Sequence, residues 1–265
     1  MRAAVLLLVA ASGLAAAHAP DQLAIARRFY NQGQFDQALE AAQLAAANPA
    51  TLSSARLIMG RSRLERYRQA PQPAELDAAR GDLRGVDPKA IDGRERIELQ
   101  IGLAELLYFE DRFGAAAELL DPVIDASASL APDAHERALD WWATALDRQA
   151  QTGTPGDRAS AQARITERME QELRRDPASL PASYWLASAA RSSGDLDRAW
   201  SAAAAGWIRA SLAPARGDAL RADLDRLVTQ AIIPDRAARL PARDRRQALT
   251  SMNADWEAFK TTWGR

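Results

Sequence analysis

Cysteine is absent from all 265 residues, lysine occurs only at Lys89 and Lys260, and histidine only at His18 and His135. Each shortage removes a class of chemistry. Without cysteine there is no disulfide staple, no thiol nucleophile and no cysteine-ligated zinc, so stability must come from packing alone. His135 is the one histidine beyond the first nineteen residues, which excludes a two-histidine metal site there. No Gly-x-Ser-x-Gly elbow supports a serine nucleophile. Strand-like alternation and hairpin signals are also missing, and an all-α chain is expected. With 34 basic residues against 35 acidic ones, no overall charge draws the chain to nucleic acid or to an anionic membrane. No cofactor and no metal is expected.

What is present begins with a leader. Met1-Arg2 is a short basic start, Ala3 to Ala11 is continuously apolar, and Ala17-His18-Ala19 is a small-x-small site before Pro20. That is the layout of a secretory signal peptide over 1–19. The apolar run is shorter than the roughly 20 residues that cross a bilayer. The mature chain is therefore expected to be exported, to the periplasm or the medium, without membrane insertion. Lacking cysteine, it cannot carry a lipid on a new N-terminal thiol.

Prolines punctuate the remainder. Pro20, Pro49, Pro88, Pro132, Pro177 and Pro214 each precede a helix-like run, at intervals between 29 and 45 residues. Proline ends one helix and is tolerated in the first turn of the next. Five helix pairs over 20–213 and a helical tail over 214–265 follow from that spacing.

Three segments can be superposed without gaps. Ala26, Phe29, Gly33, Phe35, Ala38, Ala42 and Ala45 recur as Ala104, Leu107, Asp111, Phe113, Ala116, Leu120 and Val123, and more weakly as Ala187, Ala190, Gly194, Leu196, Ala199, Ala203 and Gly206. Each copy reads as helix, tight turn, helix, with small residues where two helices approach. The pattern resembles the tetratricopeptide repeat of about 34 residues. That resemblance implies a right-handed α-solenoid of about five antiparallel pairs, closed by C-terminal capping helices. It also implies that the first helix of each pair lines a concave groove. Carried onto this chain, the groove positions are Arg27, Tyr30 and Asn31, then Glu105, Tyr108 and Phe109, then Ser188, Arg191 and Ser192 with Tyr184 one turn earlier. Relatives that clamp a peptide's terminal carboxylate place lysines there; this chain has none, and has Glu105. A groove of tyrosines and mixed charge suits an extended or helical peptide instead.

Other features read as structural. His135 is expected to be an exposed first-turn residue. Gly153-Thr154-Pro155-Gly156 lacks the lysine of a phosphate loop. Glu95 with Glu98, and Asp133 with Glu136, are ordinary helix-face spacings. All seven tryptophans fall in the C-terminal half. Of the adjacent Trp141 and Trp142, about 100° apart on a helix, one should pack inside and the other line a surface. Leu249, Met252, Trp256, Phe259 and Trp263 form an apolar stripe, expected to cap the preceding segment. The reading is a non-catalytic exported scaffold that binds a protein or peptide in its groove. Two alternatives stand beside it: an accessory or hydrolase-like protein acting on envelope polysaccharide, and a structural subunit docking through its last helix.

Overall fold

A computed structural model describes residues 21–131, 133–213 and 216–264. The expected leader over 1–19, with its expected cleavage site, and Pro20, Pro132 and Pro214 lie outside the described residues. Among those described the chain is all-helical, without a strand. Helices α1 (Gln22–Asn31) and α2 (Phe35–Ala45), α3 (Leu52–Gln69) and α4 (Pro73–Arg84), α5 (Gly93–Phe109) and α6 (Phe113–Leu120), α7 (Ala134–Thr152) and α8 (Pro155–Arg175), and α9 (Leu180–Ser192) and α10 (Leu196–Arg209) pack as successive neighbouring pairs. Each odd-numbered helix also touches the next odd-numbered one, from α1 through α9. The odd helices are therefore linked in series, each to the next.

The superposed segments explain the first, third and fifth pairs. Ala26, Ala38, Ala104, Ala116, Ala187 and Ala199 are all fully buried, each pair sitting where its two helices meet. The turn between the helices is the same each time. Gly33, Asp111 and Gly194 have φ of 71°, 58° and 84°, the left-handed conformation that glycine adopts freely and aspartate tolerates. The next amide reaches back across the helix end: Gln34 N–H to Phe29 C=O at 2.9 Å, Arg112 to Leu107 at 2.8 Å, and Asp195 to Ala190 at 2.9 Å. This closes the carbonyls a helix end leaves open. The second and fourth pairs turn differently, through extended residues followed by a proline at the start of the next helix, Pro73 and Pro155. Thr154 and Asp157 add a reciprocal capping box at the second of these turns.

Close approach is clearest around Leu83. A Cβ on Gly60 of α3 would lie 2.6 Å from Leu83 Cγ, while Gly102 of α5 faces the same side chain. Leu83 is 2 % exposed, so three helices converge on it. The buried residues form successive clusters along the chain rather than one centre.

Two expectations are corrected here. His135 is buried, not exposed: the 3-10 turns Asp121–Val123 and Ala126–Ser129 fold over the start of α7. Its Nδ1 lies 2.9 Å from the Ile124 carbonyl and its Nε2 lies 3.0 Å from Glu172. Pro234 lies inside a continuous helical run. Helix α11 (Gly217–Leu227) runs through a π-helical turn (Val228–Ile232) into α12 (Ile233–Ala238), and the widened turn accommodates a residue that cannot donate to the helix ladder. Finally, the last helix, α13 (Arg245–Trp263), buries only part of its stripe. Trp256 is fully enclosed; Leu249, Met252 and Phe259 pack around the same cluster; Trp263 is 53 % exposed. Leu220, Leu224, Val228 and Ile232 supply the opposite wall, joined by Trp200 and Trp207 of α10.

Candidate functional site

Helices α1, α3, α5 and α7, with Phe35 of α2 and Leu120 of α6, line a cavity of about 510 Å³. Its walls come from the C-terminal end of α1, the second half of α3, the length of α5 and the first half of α7, with Leu130 and Ala131 closing one side. Helical periodicity aligns these groups: Arg61, Leu64, Glu65 and Arg68 share one face of α3, and Glu98, Ile101, Glu105 and Phe109 share one face of α5.

Aromatic rings form a connected wall. Phe109 meets Tyr67 at 5.0 Å and Trp141 at 5.6 Å between centroids, both edge to face. Trp141 also meets Tyr108 at 4.9 Å. Trp142 is 2 % exposed, so the adjacent pair divides between core and cavity. Opposite, the Arg61 guanidinium lies 4.6 Å above the Tyr30 ring. Burial pushes the Tyr30 hydroxyl up to about 12 against the pull of Arg61, which keeps it neutral at physiological pH.

Charges line the rest, and most are already paired. Arg61 bonds Glu98 at 2.9 Å, Arg94 reaches Glu98 at 3.4 Å and the Leu130 carbonyl at 2.7 Å, Arg68 Nε bonds Glu65 at 2.9 Å, and Arg137 pairs with Asp133. Glu105 differs. Burial pushes its carboxyl up to about 7, opposed by Arg61, and no side chain among the described residues hydrogen-bonds it. Nearby, Arg61 Nε is buried without a partner among the described residues.

Of the positions anticipated for the groove, Tyr30, Asn31, Glu105 and Phe109 line this cavity. Arg27 instead pairs with Glu95, the buried capping residue of α5, and so ties α1 to α5. Tyr108 packs behind the wall against Phe113 and Trp141. Tyr184 sits among core residues beside Trp185, and Ser188 is half-buried. Arg191 pairs with Asp235 at 2.8 Å, and Ser192 lines a second cavity, of about 660 Å³, with Arg158, Gln162 and Glu170 of α8. The third superposed segment thus contributes nothing to the first cavity. Arg61, Glu65, Arg68 and Glu98 were not anticipated, and Trp141 only as one of an adjacent pair of which one would line a surface. A signal for α3 existed: Gly60 stands 34 residues beyond Ala26, the repeat period itself, and places Leu64 and Glu65 in register with Tyr30 and Asn31.

His135 does not line the cavity, and Glu65, Glu98 and Asp133 hold arginines. Among the described residues no acid or histidine cluster could hold a metal, and no helix is long and apolar enough to cross a membrane. No protein-family model matches the chain, and neither a curated protein nor a solved structure is significantly similar to it.

Proposed function

We propose that this chain is an exported, non-catalytic scaffold of the tetratricopeptide kind, its helix pairs stacked as a right-handed solenoid, that holds a peptide or protein segment in the groove formed by α1, α3, α5 and α7. The observation that carries this reading is the cavity itself: one face of four successive odd helices lined by rings and by charges of both signs. Rings supply contact area and charges supply register. The three identical turns, and the contacts from each odd helix to the next, support the solenoid. The leader layout supports export.

Glu105 favours a second reading as well. A carboxyl held near neutrality in a cleft is what a general acid requires, as the glycan-hydrolysis alternative would need. Its weakness is the second carboxylate, since the neighbouring acids are neutralised by arginines.

The test uses Asn31→Trp, an exposed position at the cavity rim. Tagged parent and variant are expressed in the native host and their partners quantified after affinity capture. The expected result is loss of a partner by about tenfold or more, a change of 1.4 kcal/mol, with the melting temperature unchanged. Undiminished capture by a folded variant contradicts groove binding, and glycan cleavage lost in Glu105→Gln establishes the second reading.

A further inference from the structure

We infer that the groove takes an uncharged stretch of its partner peptide and seats one bulky apolar side chain, aliphatic or aromatic, against the Phe109 and Trp141 rings. This rests on the groove-binding reading and specifies its partner.

The charges that line the cavity neutralise one another. Arg61 and Arg94 share Glu98, Arg68 holds Glu65, and Arg137 holds Asp133. Glu105 lies in the field of Arg61, so four arginines meet four acids. The Arg61–Glu98 pair is also largely withdrawn from water, at 15 % and 19 % side-chain exposure. A cation or an anion arriving with a ligand finds no vacant counter-ion there. It sheds its own water and either gains nothing in exchange or breaks a pair already made. An uncharged side chain carries neither cost.

What the ion pairs leave open is hydrocarbon. More than half of the lining residues are apolar or aromatic, and they stand between the charges: Leu64 beside Glu65 on α3, and Ile101 between Glu98 and Glu105 on α5. On α7, Ala134, Ala138 and Trp141 follow at helical spacing and make one apolar strip. Phe109 is where the ring wall converges, edge-on to Tyr67, Tyr108 and Trp141. Both Phe109 and Trp141 line the cavity and are only partly buried. A further apolar side chain laid on these rings expels water from them, and an aromatic one adds the edge-to-face contact that the wall already repeats.

The experiment presents an array of short random-sequence peptides to the parent protein at pH 8, where Glu105 is ionised, and to Trp141→Ala, Glu98→Gln and Asn31→Trp under the same conditions. The expected result is about tenfold enrichment of bulky apolar residues at one position of the bound peptides, with acidic and basic residues alike depleted there and beside it. That enrichment should drop at least about threefold in Trp141→Ala and vanish in Asn31→Trp. Glu98→Gln removes the acid that Arg61 and Arg94 share, so acidic residues should turn from depleted to enriched in that variant. Peptides bound by the parent with either charge enriched, or with no apolar enrichment, and lost in Asn31→Trp, overturn this inference while leaving groove binding intact. Apolar enrichment undiminished in Trp141→Ala overturns it too, as does a Glu98→Gln variant, helical by circular dichroism, that still depletes acids. Enrichment that persists in Asn31→Trp, or an array that captures nothing, overturns both readings.

Discussion

Replacing Trp256 with alanine destabilises the protein by about 3–5 kcal/mol, the range for deleting a large buried aromatic. The ring is fully enclosed. It stacks on Phe259 at 5.4 Å and receives the edges of Trp200 at 5.6 Å and Trp207 at 5.7 Å. Its Nε1 donates to Asp225 at 2.9 Å, and Lys260 bonds the same carboxylate at 2.6 Å. Burial works to raise the Asp225 carboxyl, but the bonds from Lys260 and Trp256 outweigh it and hold the group below the ordinary carboxylate range. Alanine removes the packing and one of these bonds together, and it leaves the α10 tryptophans facing a void. Urea unfolding followed by near-ultraviolet circular dichroism measures the loss. Trp263→Ala is the control, since an exposed ring at 53 % should change stability by no more than about 0.5 kcal/mol. A small effect at Trp256 would mean that α13 does not cap the chain, and would return the last helix to the role of a docking element.

Glu105→Gln has the opposite sign. In the folded chain the carboxyl titrates near 7, against 4.5 as its ordinary value. The folded state therefore binds the proton more tightly than the unfolded state does. The contribution of this group is fully present below about pH 4.5 and is lost as the pH rises through about 7. Glutamine keeps the neutral shape and cannot ionise. The variant should match the parent near pH 4 and exceed its stability at pH 8 by up to about 3 kcal/mol. Chemical unfolding at the two pH values reads the difference directly. Equal stability at pH 8 would show that burial does not push the Glu105 carboxyl up.

Backbone geometry was the most legible part. Gly33, Asp111 and Gly194 were aligned from their neighbours, and all three adopt positive φ because a tight helix–turn–helix demands it and few residues supply it. The alanine pairs were legible for a similar reason, as only small residues fit where two helices touch. The cavity was half legible. Tyr30 and Glu105 lie in well-marked segments, whereas Arg61, Arg68 and Trp141 lie in the second and fourth pairs, where a proline turn replaces the glycine turn and removes the marker. The third segment misled, because Arg191 is drawn to Asp235 of α12 and Ser192 faces α8. His135 was misplaced because the connection that covers it, around Ile124 and Ser127, is irregular and carries no periodic signal.

The central claim is that a partner lies against the odd-helix groove rather than on the outer helices or the C-terminal cap. Photocrosslinking in the native host tests it most directly, with a benzophenone side chain placed at Arg68 on the groove rim, at Glu40 on the exposed face of α2, and at Trp263 on α13. The account predicts a discrete adduct from position 68 and none from 40 or 263. An adduct from 263 or 40, with none from 68, would contradict it.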